Sequence, residues 1–490
     1  MSEKYDQTEN PVAVGPNAWL IEEMYRQFVE NPDSVGESWR DFFADYVPSV
    51  TRPDAAPKTA EQKTPAPKTE PVQPQPAAEN GNLPPEGAQP VRGPAAKIVE
   101  NMEKSLTIPT ATSTRIIPVK ILEENRRIIN EHQVSMGAAK VSFTHIIAWG
   151  ILEALRKYPA MTGSFAQFDG KPYKILPQSV NFGLAVDVEK KDGSRSLMVP
   201  NVKSAQQLDF LEFFSSYNEV LRKVRTNQIE PSDFEGTTVT LTNPGMIGTV
   251  HSIPRLMQQQ GLIVATGAIQ FPPEWKDADP HTIARLGISK VMMVTSTYDH
   301  RVIQGAESGL FLQYFDRLMQ GEDDFYDKIF EGLKIPYNVA RAIRDVNPVF
   351  DGGGSSAETE KQARVLQLIN IHRVRGHLIA NINPLSTERK SHSELEPERY
   401  GLTMWDYDRD FITGGLGGRT RATLREILDT VRDAYCRTIG IEYMHIQEPE
   451  QKEWIQKRVE GIPRSGWLDI EAKRRILKKL GANSLSRRAG

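Results

Sequence analysis

STYDHRVIQGAESGLFLQYFDRLM, residues 296–319, is the stretch whose reading decides the fold class. A β-branched and aromatic run ends at Tyr298. Asp299, His300 and Arg301 follow at once, and Gly305 opens an amphipathic helix. Strand, tight turn and helix in immediate succession are a step of an α/β or α+β domain. A histidine at a strand end, beside two charged residues, suits a general base at the mouth of a cleft. Its unperturbed pKa near 6.5 lets it take a proton at neutral pH and return it. On position alone a structural histidine is the commoner outcome.

Upstream, VTLTNPGMIGTVHSIPRLMQQQG (239–261) runs a strand into Thr242-Asn243-Pro244-Gly245. Asn-Pro-Gly after a strand is a sharp turn. A threonine hydroxyl at that strand end has the chemistry to donate to an oxyanion. From spacing alone, a strand threonine satisfied by its own turn is the favoured reading.

Between and before these stretches the pattern is globular from about residue 101. IPVKILEENRRIINEHQ, with Ile117, Ile121, Ile128 and Ile129, predicts a helix. SFTHIIAWGILEALRKYP predicts another, capped by Ser142 and stopped before Pro159. Strands are predicted at 181–188, 197–202, 238–243, 262–268 and 290–298, with a helix over LDFLEFFSSYNEVLRKVR. Some of these strands are continuous apolar runs suited to a sheet buried on both faces. The reading is one domain over 101–337.

The flanks differ. Residues 1–47 hold a short helical module, with Leu20, Met24 and Phe28, then Val35, Trp39, Phe42 and Phe43, at helical spacing. It is either a terminal helix docked on its own chain or a docking arm for another subunit. Eleven of the 33 prolines fall between Pro53 and Pro94, and no aromatic occurs from Val47 to Ser142. Such a segment buries too little to offset its ordering entropy, so 48–100 reads as an extended linker. DGGGSSAETE (351–360) marks a second joint within 338–362, and 363–490 is helix-rich.

The chain has 490 residues, a formal charge of −3 and one cysteine. More than one domain is expected. No basic field argues for nucleic acid, and a disulfide framework within the chain is excluded. The first residues lack a signal-peptide layout and no apolar run reaches about 18 residues, so no membrane span is expected. A soluble, cytoplasmic protein is the expectation. Cys436, in a helical run, reads as a core residue.

DHRVIQG and TNPG together resemble the catalytic core of the dihydrolipoamide acyltransferases of 2-oxo acid dehydrogenase complexes. Chloramphenicol acetyltransferase shares that fold. The resemblance covers about 230 residues and implies a chloramphenicol-acetyltransferase-like α/β (α+β) core. It implies His300 as general base toward a coenzyme A thiol and Thr242 as oxyanion donor. Asp299, Arg301, Gln304, Asn243 and Gly245 are supporting positions of the two motifs. It also implies a homo-trimer whose subunit interface brings His300 and Thr242 together from different copies. The family has a carboxylate where this chain has Gln304, which puts the rate of the site in question.

The flanks resemble the thiamine-dependent 2-oxoglutarate dehydrogenase component: residues 19–43 its N-terminal arm, and HRVRGHLIANINPL, YGLTMWDYDRDF and GIEYMHIQEPEQKEWIQKRVE its first helical region. An acyltransferase core between such pieces is the arrangement of the actinobacterial 2-oxoglutarate dehydrogenase–succinyltransferase fusions. The implied activity is succinyl transfer between dihydrolipoamide and CoA in the tricarboxylic acid cycle. Complete relatives bind thiamine diphosphate and Mg²⁺, yet neither Gly-Asp-Gly nor Asn-Asn occurs here. The chain is therefore expected to be an N-terminal fragment or an interrupted gene product. No lipoyl-domain signature is present either. The lipoyl group is expected from a partner, the lipoyl-bearing acyltransferase of the pyruvate dehydrogenase complex, with dihydrolipoamide dehydrogenase an indirect partner. CoA contacts remain unassigned by the sequence.

Other candidates are weaker. GGLGG (414–418) lacks the dinucleotide fingerprint and reads as a loop. The nine histidines show no metal-ligand spacing. His132 and His145 read as structural, and RVRGH (373–377) as a solvated or paired helix face. A second reading of the whole chain is a trimeric scaffold for the complex, with Gln304 marking weakened catalysis.

Overall fold

The computed structural model describes residues 18–32, 35–36, 39–40, 43, 94–189, 195–343, 354–383, 390–461 and 469–486. The proline-rich part of the expected linker, residues 48–93, lies outside these, as do 344–353 of the second joint.

In chain order the elements begin with helix α1 (Ala18–Glu30), helix α2 (Pro94–Ser105), strand β1 (Thr110–Pro118), and helices α3 (Lys120–Ser135) and α4 (Phe143–Lys157). Strands β2 (Ser164–Phe168), β3 (Lys171–Ile175), β4 (Phe182–Leu184), β5 (Val186–Glu189), β6 (Arg195–Met198) and β7 (Asn201–Val202) follow. Then come α5 (Phe210–Arg225), β8 (Val239–Thr242), β9 (Leu262–Thr266), α6 (Pro280–Leu286), β10 (Val291–Asp299), α7 (Gly305–Met319) and α8 (Phe325–Gly332). The C-terminal part holds α9 (Gly354–Arg375), β11 (Asp410–Ile412), β12 (Arg421–Thr423), α10 (Leu424–Tyr435), α11 (Pro449–Val459) and α12 (Ile470–Ser486).

The main sheet has six strands in the order β1-β10-β9-β8-β4-β7. The β8/β9 and β8/β4 pairs are parallel and the rest antiparallel, so the sheet is mixed. β8 and β9 lie inside it and are buried along nearly their whole length, as strands covered on both faces are. Helices α4 and α7 pack closely. A Cβ on Gly150 of α4 would lie 2.5 Å from the Met319 side chain and 2.9 Å from that of Phe315 in α7, so any larger residue would force those side chains to move.

The α4 boundaries agree with the sequence reading. The Ser142 hydroxyl accepts from the His145 N–H, and His145 Nδ1 accepts from the Ser142 N–H at 3.0 Å. Elsewhere the structure departs from expectation. Ile117 does not belong to a helix: it sits in β1, paired with Met292, and α3 starts at Lys120. The isoleucine spacing fitted a helix by coincidence, because β1 is an edge strand whose Thr and Ser residues gave no apolar alternation. The run 181–188 is broken into β4 and β5, which belong to different sheets. Parts of the expected linkers are helical: α2 starts at Pro94, and α9 already covers 354–362. Ser, Ala, Glu and Thr there serve a helix start once the glycines are passed.

Val35, Trp39 and Phe43 are buried against Met198, Val224, Ile229 and Phe234, and Trp39 Nε1 donates to the Ile229 carbonyl at 3.2 Å. The N-terminal module thus packs on its own chain. The main core likewise runs past residue 337 into α9 and α10 through Val365, Leu368, Leu424, Ile427 and Val431. A buried charge cluster ties the two regions together. Glu124 of α3, fully buried, receives both guanidinium nitrogens of Arg425 and the Nε of Arg127, the latter at 3.3 Å. Removing one partner from such a cluster typically costs about 3–5 kcal/mol.

Candidate active site

β10 carries the chain to Asp299, whose N–H donates to Gly261 O at 3.1 Å; the next N–H, of His300, donates to Pro109 O at 3.0 Å. The strand end is therefore held from both sides. The N–H groups of Val302 and Ile303 both donate to the Asp299 carbonyl, closing the turn before α7. Within that turn His300 is exposed, and its Nδ1 lies 3.1 Å from Ile303 O. A carbonyl only accepts, so Nδ1 carries the hydrogen and Nε2 keeps its lone pair. The Tyr298 ring stands edge-on to the imidazole at 5.6 Å between centroids. The result is an oriented proton acceptor facing outward.

Asp299 does not assist the imidazole directly. Its buried carboxylate is taken by Arg301, at 2.9 Å from Nε and 2.7 Å from Nη2, and it also accepts from the Arg301 N–H at 3.0 Å. The Arg301 guanidinium in turn lies 3.8 Å over the Phe165 ring. Phe165 belongs to the β2–β3 hairpin, which also sends Lys174 Nζ to Val302 O at 2.7 Å. Sequence reasoning missed this hairpin and both residues. Asp169-Gly170 between short apolar runs was the available signal, and both have positive φ in the turn.

Gln304 is exposed and occupies the N-cap of α7, where its N–H donates to Glu307 Oε2 at 2.8 Å. A carboxylate at this position would serve as a better cap than glutamine does.

The second motif forms a separate structure. Thr242, half-buried, ends β8. Asn243 Nδ2 donates to Thr144 Oγ1 at 2.9 Å, which ties the turn to the start of α4. Gly245 is required by close approach: a Cβ there would lie 2.3 Å from the Gly267 backbone. Beyond it Met246 and Ile247 are 81% and 75% exposed. Thr242 pairs with Ala265, which pairs with Thr295, whereas His300 lies five residues further along the chain, just past the end of β10. The structure thus gathers Asp299, His300, Arg301 and Gln304 at one place and Thr242, Asn243 and Gly245 at another. It does not bring the two groups together within one chain.

With this geometry in view, the comparisons are specific. Residues 84–325 match the 2-oxoacid dehydrogenases acyltransferase (catalytic domain) model, and residues 11–50 match the 2-oxoglutarate dehydrogenase N-terminus. The segment 84–325 belongs to the 2-oxoacid dehydrogenase acyltransferase family. The acyltransferase segment so defined begins ahead of residue 101 and includes both motifs. The chain is 43% identical, over 92% of its length, to a multifunctional 2-oxoglutarate metabolism enzyme of Mycolicibacterium vanbaalenii. A counterpart from Mycobacterium sp. strain JLS is 42% identical over 93% of the chain. The chain spans 39% and 40% of the length of these two relatives. A solved probable dihydrolipoamide acetyltransferase from Listeria monocytogenes is 20% identical, covering 50% of this chain and 96% of its own, with a TM-score of 0.40.

The remaining sequence candidates are structural. His145 is buried between Phe214 and Tyr217. Burial pushes the Cys436 thiol up to about 12, which makes it a poor nucleophile. In the RVRGH patch, Arg373 pairs with Glu460 at 2.7 Å and Arg375 with Glu394 at 2.5 Å. The GGLGG loop is a tight turn with Gly414, Gly415, Gly417 and Gly418 at positive φ. No helix among the described residues is long and apolar enough to cross a membrane, and none of their His, Cys, Asp or Glu side chains form a metal-binding group.

Proposed function

We propose that this chain transfers a succinyl group between dihydrolipoamide and coenzyme A. One observation carries the reading: His300, at the strand end of the acyltransferase segment, has its Nδ1 hydrogen directed to Ile303 O and Nε2 available. A CoA thiol has a cysteine-like pKa of roughly 8.5 and is a weak nucleophile until ionised. His300 Nε2 takes the thiol proton as sulfur attacks the thioester carbonyl of an acyl-dihydrolipoyl group. The Thr242 hydroxyl donates to the oxyanion of the tetrahedral intermediate. Collapse breaks the bond to the dihydrolipoyl sulfur, which recovers the proton from His300.

The proposal has three further parts. The chain works as a homo-trimer, with His300 and Thr242 from adjacent copies. The lipoyl group arrives on a partner, the lipoyl-bearing acyltransferase of the pyruvate dehydrogenase complex. Residues 1–47 and 363–490 are pieces of a dehydrogenase component, and "succinyl" rests on the likeness of these flanks to 2-oxoglutarate enzymes. The Gly-Asp-Gly and Asn-Asn motifs of a thiamine diphosphate site are absent from this sequence.

The test supplies succinyl-CoA and dihydrolipoamide and follows release of free CoA. Wild type is expected to turn over and His300→Ala to lose nearly all activity. Equal rates would remove the catalytic claim and leave the scaffold reading.

A further inference from the structure

Arg432 of α10 is 6% exposed. Among the described residues it forms no ion pair, and its buried Nη1 has no hydrogen-bond partner. The Tyr337 ring lies 4.6 Å from its Cζ. Burial opposes this charge, but Glu396, Tyr337, Tyr407 and Glu131 act on it as charges and on balance hold the guanidinium above its usual range; a hydrogen-bonding fork left open in the interior is rare in native proteins.

Arg432 lines a cavity of about 300 Å³ between α3 and α10. The wall does contain carboxylates, but each is engaged elsewhere. Glu131 and Asp429 both pair with Arg127, and Asp433 pairs with Arg437. Glu396, the strongest of the negative groups acting on Arg432, and Glu131 act on it as charges. Arg419 and Arg437 add positive charge to the same wall.

We propose that this cavity binds a small oxyanion, a carboxylate or a phosphate, on the guanidinium of Arg432. Both groups match the planar fork of arginine. The site is separate from His300 and Thr242. Its walls come from α3 on one side and from α10 and the Gly417 and Gly461 loops on the other, so an occupant bridges the acyltransferase segment and the C-terminal helical region. A ligand that binds the folded chain only raises its stability in proportion to the logarithm of concentration.

The test uses the full chain at constant ionic strength set with chloride. Inorganic phosphate and succinate are titrated separately by calorimetry, and Tm is followed against each. Saturable binding of one or both, near one per chain, with a rising Tm, is the expected result, and the anion that binds names the source. Arg432→Lys keeps the charge but loses the fork, and weakens binding roughly tenfold. Arg432→Met abolishes the saturable binding of both anions. Acyl transfer is unchanged in both variants at subsaturating anion. Should Arg432→Met fail to fold, the Lys variant still reads the site. No saturable binding of either anion, or undiminished binding in the Lys variant, overturns the proposal.

Discussion

Thr242 and His300 stand at opposite ends of one sheet. Thr242 is level with Ala265 and, across β9, with Thr295, and the chain runs five more residues before reaching His300. At ~3.3 Å per residue and ~4.8 Å per strand, that is roughly 19 Å between the two backbone positions. Side chains of threonine and histidine do not span such a gap. If both serve one reaction, they serve it from different copies, and the exposed Met246 and Ile247 beside Thr242 are apolar surface for another copy to cover.

A complementation experiment follows from this separation. His300→Ala and Thr242→Ala are each expected to be impaired alone, the latter by roughly 10²–10³-fold in kcat. Co-expressed in mixed trimers, they regain roughly a quarter of wild-type activity, because about that share of interfaces unites an intact His with an intact Thr. A mixture no more active than its components would place both residues in one copy and sink the shared-site reading.

On the proposed mechanism, Arg301 acts on His300 through position. It holds Asp299 by two guanidinium nitrogens and lies flat on Phe165. Lysine reproduces the charge but neither the fork nor the stacking. Arg301→Lys is expected to lower kcat roughly ten- to a hundredfold, as sub-ångström misplacement of a reacting group does, with KM for CoA little changed. Steady-state kinetics separate the two constants. A KM effect with intact kcat would instead make Arg301 a substrate contact.

Gln304 is legible as a departure in the sequence, and the structure gives it a second meaning as the N-cap of α7. Gln304→Asp introduces a side chain that accepts from the first free N–H groups of the helix and complements its dipole. A gain of about 0.5–1 kcal/mol in a urea melt is the expected outcome. Unchanged or lowered stability would mean that Glu307 already satisfies this end.

The two motifs were readable because each is a local device. DHR and TNPG are turns at strand ends, and their chemistry sits within a few residues. What holds them is not local. Phe165 supports Arg301 from 136 positions away, and Glu124 looks like an ordinary solvated helix residue until Arg425, 301 positions on, is folded against it. The β1 edge strand stayed hidden for a related reason. Thr112 meets Thr297 at 2.9 Å and Arg115 meets Asp316 at 2.8 Å, so its pairing is polar and leaves no hydrophobic period to read.

Two buried histidines set a pH window for stability. Burial pushes both His145 and His372 down to about 4. The unfolded chain takes up these protons near pH 6.5, well before the folded one does. Stability from these residues is therefore complete above about 6.5 and is lost as pH falls toward 4. His145→Gln isolates one contribution: the amide oxygen still accepts from the Ser142 N–H, so the cap of α4 survives while the titrating group is gone. Urea melts from pH 7.5 to 4.5 should show a shallower decline for this variant than for wild type. Parallel curves for the two proteins would mean that His145 takes its proton in the folded state as readily as in the unfolded one.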